Sequence, residues 1–296
     1  MLSSLVTRAV GRRFRRCALA VLFSASLACF AQERPYFVTY SHEMEEPGNL
    51  EISTTNVVGK PDGGNRFLGS VIEMEYGIKT WWTSEFYLDG QATQNDSTIF
   101  TGFRWENRFR PLLREHWINP VLYVEYENTS ADKALKEVVG HDGQADFLDG
   151  NGEARADKER EMELKLILGS NVRGWNISEN FIAEKRMNAA DPWEFGYALG
   201  ASRPLRLTAS ARRCSFCAER FQVGAEMYGG LGDRYSFGTR QTSQYAGPTM
   251  NWSSPSGITV SFSPQFGMND YSIARLYRFG VSYEIDQFLS RFHGSR

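Results

Sequence analysis

Acidic and basic residues recur at every second position along much of this sequence, with apolar residues between them. Side chains two positions apart in a β-strand point to the same face of a sheet. Charges gathered on the inner face of a closed sheet can pair and support its wall, or set a field that screens polar solutes. The candidates for such an inner face are Glu73, Glu75, Glu85, Arg104, Glu106, Arg108, Glu125, Glu127, Glu163, Lys165, Glu226, Arg278 and Glu284.

The screening interpretation has a specific form, in which opposite charges face each other across a constriction. Its members are Arg104 and Arg108 on one side and Glu73, Glu75, Glu125 and Glu127 on the other. Pairing is expected whatever the function, because an uncompensated buried charge is costly. The sequence leaves both interpretations open.

Nucleophilic catalysis needs a base beside the nucleophile. The four histidines, His42, His116, His141 and His293, fall outside the regular segments described below, so none has a serine neighbour on a strand. The sequence has no Gly-x-Ser-x-Gly elbow and no glycine loop of the kind that cradles phosphate. We therefore predict no enzymatic activity, no catalytic residue and no cofactor.

One acidic stretch has the alternate-residue oxygen spacing of a calcium loop, at Asp149, Asn151 and Glu153. A calcium loop requires glycine at its sixth position, where this chain has Ala154. The departure favours a solvated acidic loop, and we predict no metal site.

Apolar and polar residues alternate in twelve segments, which predicts strands rather than helices. The segments are 48–58, 66–79, 81–92, 97–110, 118–129, 159–171, 174–187, 193–200, 221–227, 240–253, 258–266 and 277–285. Most exceed the usual 5–6 residues of a soluble strand and match the roughly 9–11 residues that cross a bilayer. Since lipid tolerates no open sheet edge, residues 48–285 are predicted to form a single closed antiparallel transmembrane β-barrel of about twelve strands.

Aromatic residues make up 14% of the chain, and five tryptophans fall on the predicted outer face. Amphipathic rings settle at headgroup depth, so a membrane-interface girdle is favoured over ligand stacking. Its members are Trp82, Trp105, Trp175, Trp193 and Trp252.

The segments outside the barrel are also predicted from composition. Residues 1–31 combine five arginines, a short apolar stretch and small residues at Cys29 and Ala31, which is typical of a signal peptide. Residues 32–47 would be a periplasmic N-terminal segment, 130–158 a long extracellular loop with a short helix over 130–139, and 286–296 a C-terminal tail.

Removal of the leader leaves 28 basic against 35 acidic residues, a formal net charge of −7. Nucleic acid is therefore excluded as a partner, because phosphate binding needs a basic face. Two cysteines remain, Cys214 and Cys217. In an exported chain, such a pair favours a small disulfide loop over a metal or redox site.

Several strand motifs carry a resemblance: GFRWENRFRP at 102–111, NPVLYVEYE at 119–127, ELKLIL at 163–168 and WEFGYALG at 193–200. The chain resembles bacterial outer-membrane barrels of the meta-pathway phenol-degradation family over about residues 48–285. That resemblance implies transport of small, hydrophobic or aromatic molecules. Such barrels commonly end on an aromatic residue that the barrel-assembly machinery reads; here Phe288 and Phe292 could supply it.

The sequence thus predicts a porin-like barrel in the bacterial outer membrane, surrounded by lipid, with passive transport of a small-molecule solute as its function. The alternative is a closed, non-conducting barrel that acts as a structural or surface-interaction protein. A third class, a soluble exported β-sandwich, would bury its apolar face in a core instead.

Overall fold

The computed structural model describes residues 35–130, 139–187, 190–208 and 214–291, which contain twelve long strands. The strands are β1 Leu50–Gly59, β2 Phe67–Lys79, β3 Trp82–Thr93, β4 Thr98–Phe109, β5 Asn119–Ser130, β6 Lys158–Val172, β7 Trp175–Arg186, β8 Glu194–Pro204, β9 Phe221–Asp233, β10 Gln244–Ser253, β11 Ile258–Gly267 and β12 Arg275–Ile285. Each overlaps one of the twelve predicted segments. The alternation of residue types was therefore sufficient to locate the strands.

The strands form one closed barrel in which each pairs antiparallel with its neighbours in the chain. The barrel closes where β1 pairs with β12, from Leu50 opposite Ile285 to Gly59 opposite Leu276. Closure leaves no sheet edge, which is the condition for a sheet to cross hydrocarbon. The predicted fold class is confirmed.

Strand β6 shows how alternation separates the two faces. Glu161, Glu163 and Lys165 are almost fully buried on the lumen side, whereas Leu164 and Leu166 are exposed on the outer face. A one-residue shift of register would place the charges in lipid. The hydrophobic pattern therefore fixes the face that each residue takes and excludes a register shift by an odd number of residues.

The two ends of the barrel differ in the length of their connections. At one end, called the turn end, β2–β3 and β6–β7 are joined by two residues each. The β6–β7 turn is Arg173–Gly174, and both residues have positive φ (52° and 82°), as a tight hairpin of matching twist requires. The opposite end, called the loop end, carries the long connection 131–157.

The β8–β9 connection is long for the turn end, and the structure shows what holds its described part. Cys214 and Cys217 are joined in a disulfide. The Phe216 ring stacks on the Trp252 ring of β10, with the centroids 5.2 Å apart, and the Trp252 indole donates to the Ser215 carbonyl. The connection thus packs against the outer wall.

Residues 35–47 do not extend away from the barrel as a separate periplasmic segment. They enter the lumen from the turn end and return to it before β1 begins; Tyr36, Val38, Tyr40 and His42 are all buried there. The Asn251 side chain donates to the Pro35 carbonyl, and the Gly48 amide donates to the Gly77 carbonyl. These residues, called the lumen segment, fill part of the barrel interior, so the prediction of a periplasmic segment over residues 32–47 is wrong for residues 35–47.

The described part of the predicted extracellular loop, residues 139–157, folds back over the loop end. The Gly140 amide donates to the Phe195 carbonyl and the Gln144 amide to the Tyr271 carbonyl. A short helix, α1 (Asn151–Ala156), inserts Asn151 beside β3 and β4, where it is fully buried. The helix expected over 130–139 falls largely on residues 131–138, outside the described ranges.

The ladder between β10 and β11 is interrupted near its middle. Pairing is regular at Ala246 opposite Phe266 and again at Met250 opposite Phe262, and between them no pairs form. This register places Pro248 opposite Pro264, and neither has an N–H to donate. The ladders that join β10 to β9 and β11 to β12 are continuous at these positions. The two missing N–H donors therefore both belong to the ladder between β10 and β11. We call this interruption the proline seam.

Only part of the missing bonding at the proline seam is replaced. The Ser263 hydroxyl donates to the Pro248 carbonyl at 2.8 Å. Proline inside a sheet is normally confined to edge strands or bulges for this reason. The seam therefore lacks three consecutive residue pairs of the β10–β11 ladder.

None of the helices in the described ranges is long and apolar enough to span a membrane.

Restoring the two donors tests this description. The double substitution Pro248→Thr and Pro264→Thr should slow amide exchange in β10 and β11 and stabilise the barrel by about 1 kcal/mol per recovered hydrogen bond. Hydrogen–deuterium exchange and the thermal unfolding midpoint measure both effects. Pro120→Thr is the control, because β5 pairs continuously with β6 at that position. Unchanged exchange in β10 and β11 would contradict the seam.

Candidate functional site

The structure places twelve of the thirteen lumen-facing candidates in buried or nearly buried positions on the inner wall. The exception, Glu284, is half-exposed at the turn end, where it accepts from the Asn49 side chain at 2.6 Å. Most of the charges lie on β2–β7. Their concentration on one half of the wall was not evident from the individual strands.

The register joins six of the candidate glutamates and four further acidic residues into one row. Neighbouring strands place a carboxylate directly opposite the next one at each step. The row runs Glu284, Glu51, Glu75, Glu85, Glu106, Glu125, Glu163, Glu184, Glu194 and Asp233. Because barrel strands are tilted and staggered, the row climbs from the turn end at Glu284 to the loop end at Asp233. We call it the carboxylate row.

Carboxylates directly opposite one another on a sheet repel, so the row needs cations beside it. The Arg108 guanidinium contacts Glu75 and Glu85, and its Nε lies 3.2 Å from Glu106 Oε1. Further along, the Lys165 ammonium lies 2.8 Å from Glu163 Oε1. Both cations sit on the same wall as the acids.

Arg104 completes the pairing with a residue that the sequence analysis did not select. Its guanidinium donates to Asp89 at 2.9 Å and to Glu125 at 3.4 Å. Glu75 and Glu125 belong to the predicted partners of the two arginines. Every acid that Arg104 or Arg108 contacts lies on the same strand or within two strands of it, so these pairs run along one wall rather than across a constriction. Alternation placed each residue on the correct face, but pairing depends on register, which alternation does not give.

Among the described residues, the Glu226 carboxylate makes the largest set of hydrogen bonds to the lumen segment. Glu226 accepts from the backbone amides of Phe37, Val38 and Thr39, at 3.3, 3.0 and 3.2 Å. Three convergent N–H donors form a typical anion-binding arrangement. The Gln265 side chain also donates to Glu226 at 3.0 Å, which links the segment to β11 beside the proline seam.

A second anchor joins the lumen segment to the carboxylate row. The Tyr40 hydroxyl donates to Glu106 at 3.0 Å, and the Tyr40 backbone exchanges two hydrogen bonds with the Asn180 side chain. Two glycines make the required room. A Cβ at Gly200 would lie 2.6 Å from the Tyr36 ring, and one at Gly169 would lie 2.1 Å from the His42 ring.

Two ionisable residues of the lumen segment lie at the turn end. His42 Nε2 is 3.1 Å from the Glu115 carboxylate; burial lowers the pKa of this imidazole, although Glu115 opposes the shift. The Glu43 carboxylate accepts from Asn171 at 3.2 Å, and burial raises its pKa to about 7. The seated segment therefore favours neutral His42 and protonated Glu43.

Two groups of carboxylates in the described residues are close enough to share a metal ion: Glu73, Glu75 and Glu85, and Glu127, Glu163 and Glu184. In the first group Arg108 contacts both Glu75 and Glu85, and in the second Lys165 contacts Glu163. Neither includes Asp149 or Glu153 of the calcium-like spacing. The amide oxygen of the intervening Asn151 instead accepts from Thr93 at 3.1 Å.

The predicted tryptophan girdle lies on the outer face, mostly near strand ends. Trp82 and Trp175 begin β3 and β7 at the turn end, where Trp252 also lies, and Trp193 precedes β8 at the loop end. Trp105 lies deeper on β4, and its indole donates to Ser84 at 3.0 Å.

The outer face of β7–β10 contains an apolar groove of about 710 Å³. A row of small residues forms its floor, because Ala201 on β8, Ala225 on β9 and Pro248 on β10 stand opposite one another. Larger side chains border the row, including Ile177, Leu199 and Met227. We call this the outer groove; it ends on the proline seam.

Glu179 lies in the lining of the outer groove, exposed on the outer face of β7. The other Asp, Glu, Lys and Arg residues on the outer face of the described strands lie within three residues of a strand end, whereas Glu179 is fifth of twelve in β7. It has no ion pair or hydrogen-bond partner among the described residues. Glu179 was not among the candidates predicted from the sequence. The signal that could have identified it is its place between Ile177 and Phe181, which lie two positions away on the same, outward face.

The opposite pKa shifts of His42 and Glu43 predict two opposite pH dependences for the seating of the lumen segment. Each is observed separately when the other residue is replaced by glutamine. With His42→Gln, seating depends on Glu43, whose pKa is raised from 4.5 to about 7. The seated state then weakens as pH rises from 4.5, and the loss is complete above about 7. With Glu43→Gln, seating depends on His42, whose pKa is lowered, so the seated state weakens as pH falls below 6.5.

Accessibility of a cysteine at position 38 to a thiol reagent measures seating in both variants. The matched control is the double variant His42→Gln/Glu43→Gln, in which accessibility should not change over this pH range. If accessibility changed with pH in the same direction in both single variants, the assignment of neutral His42 and protonated Glu43 to the seated segment would be contradicted.

Comparisons with known proteins agree with the architecture. No protein-family model and no curated protein matches the sequence. The fold is similar to the COG4313 outer membrane channel from Pseudomonas putida F1, with a TM-score of 0.54, 9% identity and coverage of 82% of this chain and 97% of that chain. A KdgM porin in complex with disordered oligogalacturonate gives a TM-score of 0.49 at 7% identity, covering 79% and 98%.

At these identities the likeness shows the fold alone, and the relation to the phenol-degradation family stays a resemblance. The closed meander, the apolar outer face and the charged lumen agree with the structural likeness to outer-membrane channels. The chain is a closed, twelve-stranded antiparallel β-barrel of the bacterial outer membrane.

Proposed function

We propose that this barrel is a passive channel for small molecules, gated by its own lumen segment. The observation that carries the proposal is that residues 35–47 occupy the lumen through non-covalent contacts. The chief ones are with Glu226, Glu106 and Asn180 of the wall. A segment held in this way can leave without breaking the wall, because the twelve-strand ladder closes independently of it. The short turns favour a periplasmic turn end and the long loop an extracellular loop end.

The carboxylate row gives the open lumen a preference for cations. Ten acidic residues follow one another from rim to rim, and neighbouring strands are about 4.8 Å apart. Rings of acidic side chains select cations in pores. Arg104, Arg108 and Lys165 offset only part of this charge. We therefore expect small cationic and neutral polar solutes to pass more readily than anions.

Conductance in planar bilayers tests the gate. Deletion of residues 35–47 should convert a mostly closed barrel into a steadily conducting one, and a salt gradient should show cation selectivity. Glu226→Ala should raise the open probability, because three amides lose their acceptor. Glu284→Ala is the control, since this acid contacts Asn49 rather than residues 35–47.

Heat-modifiable migration shows whether each variant has folded. A folded deletion variant that passes no more current than the unaltered barrel would exclude the channel and leave the non-conducting structural barrel.

A second route is favoured by the proline seam and suits the apolar molecules that the family resemblance implies. The outer groove is apolar, faces lipid and ends where β10 and β11 lack ladder bonds. Directly inside the seam, Gln265 bonds Glu226, which holds the lumen segment. Parting of the strands would connect the bilayer with the lumen, so an apolar solute could pass laterally.

A disulfide across the seam tests this route. The register places residue 249 opposite 263, and the pair Thr249→Cys/Ser263→Cys should lock the strands together. Uptake of an apolar dye by outer-membrane vesicles should fall about tenfold and recover on reduction, while ionic conductance stays unchanged. The control pair Ser253→Cys/Thr259→Cys bridges the same strands where the ladder is intact. Equal uptake in the locked and control barrels would exclude the lateral route.

A further inference from the structure

Glu179 is placed where a carboxylate is costly. The rise along a tilted strand puts it roughly 10 Å deeper than Trp175, which begins the same strand. Ionisable side chains at mid-depth on the lipid face of a barrel are destabilising, and those near the interface much less so. The carboxylate of Glu179 therefore carries an energetic cost, and no described residue of the barrel wall offsets it.

The surroundings of Glu179 specify what could compensate it. Along β7 its outer-face neighbours are Ile177 and Phe181, and across the strand pair it stands opposite Leu199. These groups donate no hydrogen bond. A compensating donor must therefore come from outside the described chain, and a carboxylate in an apolar setting is best matched by a cation that can also donate hydrogen bonds.

The outer groove adds a second requirement. Its floor of Ala201, Ala225 and Pro248 leads away from β7 toward the proline seam, across three strand spacings of about 4.8 Å each. The channel left by these small side chains is roughly 14 Å long and apolar, which fits one extended hydrocarbon chain. The headgroups of resident lipids lie at the membrane interface, too far from mid-depth to reach Glu179.

We propose that the outer groove binds a single-chain amphiphile with a protonated amine head, which pairs with Glu179 while its hydrocarbon tail lies along Ala201, Ala225 and Pro248. The ammonium group supplies both the charge and the hydrogen-bond donors that Glu179 lacks. A neutral amphiphile of equal length gains only the apolar contact. Binding of the amphiphile in the outer groove does not depend on the lateral route proposed above. Its passage through the proline seam does.

Native mass spectrometry of the detergent-solubilised barrel tests the proposal with two probes of equal chain length, tetradecylamine and tetradecanol. The unaltered barrel should bind the amine at least tenfold more tightly than the alcohol. Glu179→Gln should abolish that preference and Glu179→Asp should retain most of it. Ala225→Leu should fill the groove and weaken both probes alike. Glu153→Gln, on an exposed loop-end helix, should change nothing.

Glu179→Gln removes a carboxylate from the lipid face, so the variant is expected to fold, and heat-modifiable migration verifies this. An unchanged preference for the amine in folded Glu179→Gln would overturn the proposal. Equal binding of both probes to the unaltered barrel would overturn it as well.

The outcome is separable from that of the lateral route. Loss of amine binding with intact, disulfide-sensitive dye uptake refutes only the Glu179 site. Amine binding without such uptake refutes only the route.

Discussion

Every backbone N–H and C=O group that faces hydrocarbon must find a partner within the sheet, and the closed architecture follows from that constraint. It requires closure of β1 on β12, and the cost of a charge in hydrocarbon in turn sends charged side chains to the lumen. The proline seam is the described place where the ladder does not meet it, and the Ser263 hydroxyl repairs only part of the loss. Both the outer groove and the Glu226 anchor adjoin this place.

Closure has a second consequence inside the barrel. The stagger that lets tilted strands close also aligns residues of successive strands into rising rows. One such row carries ten acidic residues, and its repulsion is relieved by Arg108 and Lys165 on the same wall. The lumen segment adds uncharged donors, such as the Tyr40 hydroxyl and the amides that bind Glu226. Hydrogen-bond donors of the segment thus meet carboxylates of the wall at Glu106 and Glu226, which gives the acidic lumen two points at which it holds this length of chain.

The positions of the strands, and the face of the barrel that each side chain takes, could be predicted from the sequence because both depend only on residues close together in the chain. The alternation around Glu163 and Lys165 is enough to place one on the same face as the other, and it did so for the candidates on β2–β6. Asp89 could not be predicted as a partner of Arg104, since the register of the neighbouring strand brings it there. Residues 35–47 carry no alternation signal, so their position depends on contacts more than a hundred residues away, with Asn180 and Glu226.

The sequence by itself determined that the chain forms a closed transmembrane sheet of twelve strands with apolar residues outside, because a period of two residues is a property of short stretches. The tertiary structure alone decided what fills the lumen, how the acids line up and where the wall is weak. Pro248 and Pro264 interrupt a ladder only because the register sets them face to face. Register is a relation between strands distant in the chain, and only the closed barrel establishes it.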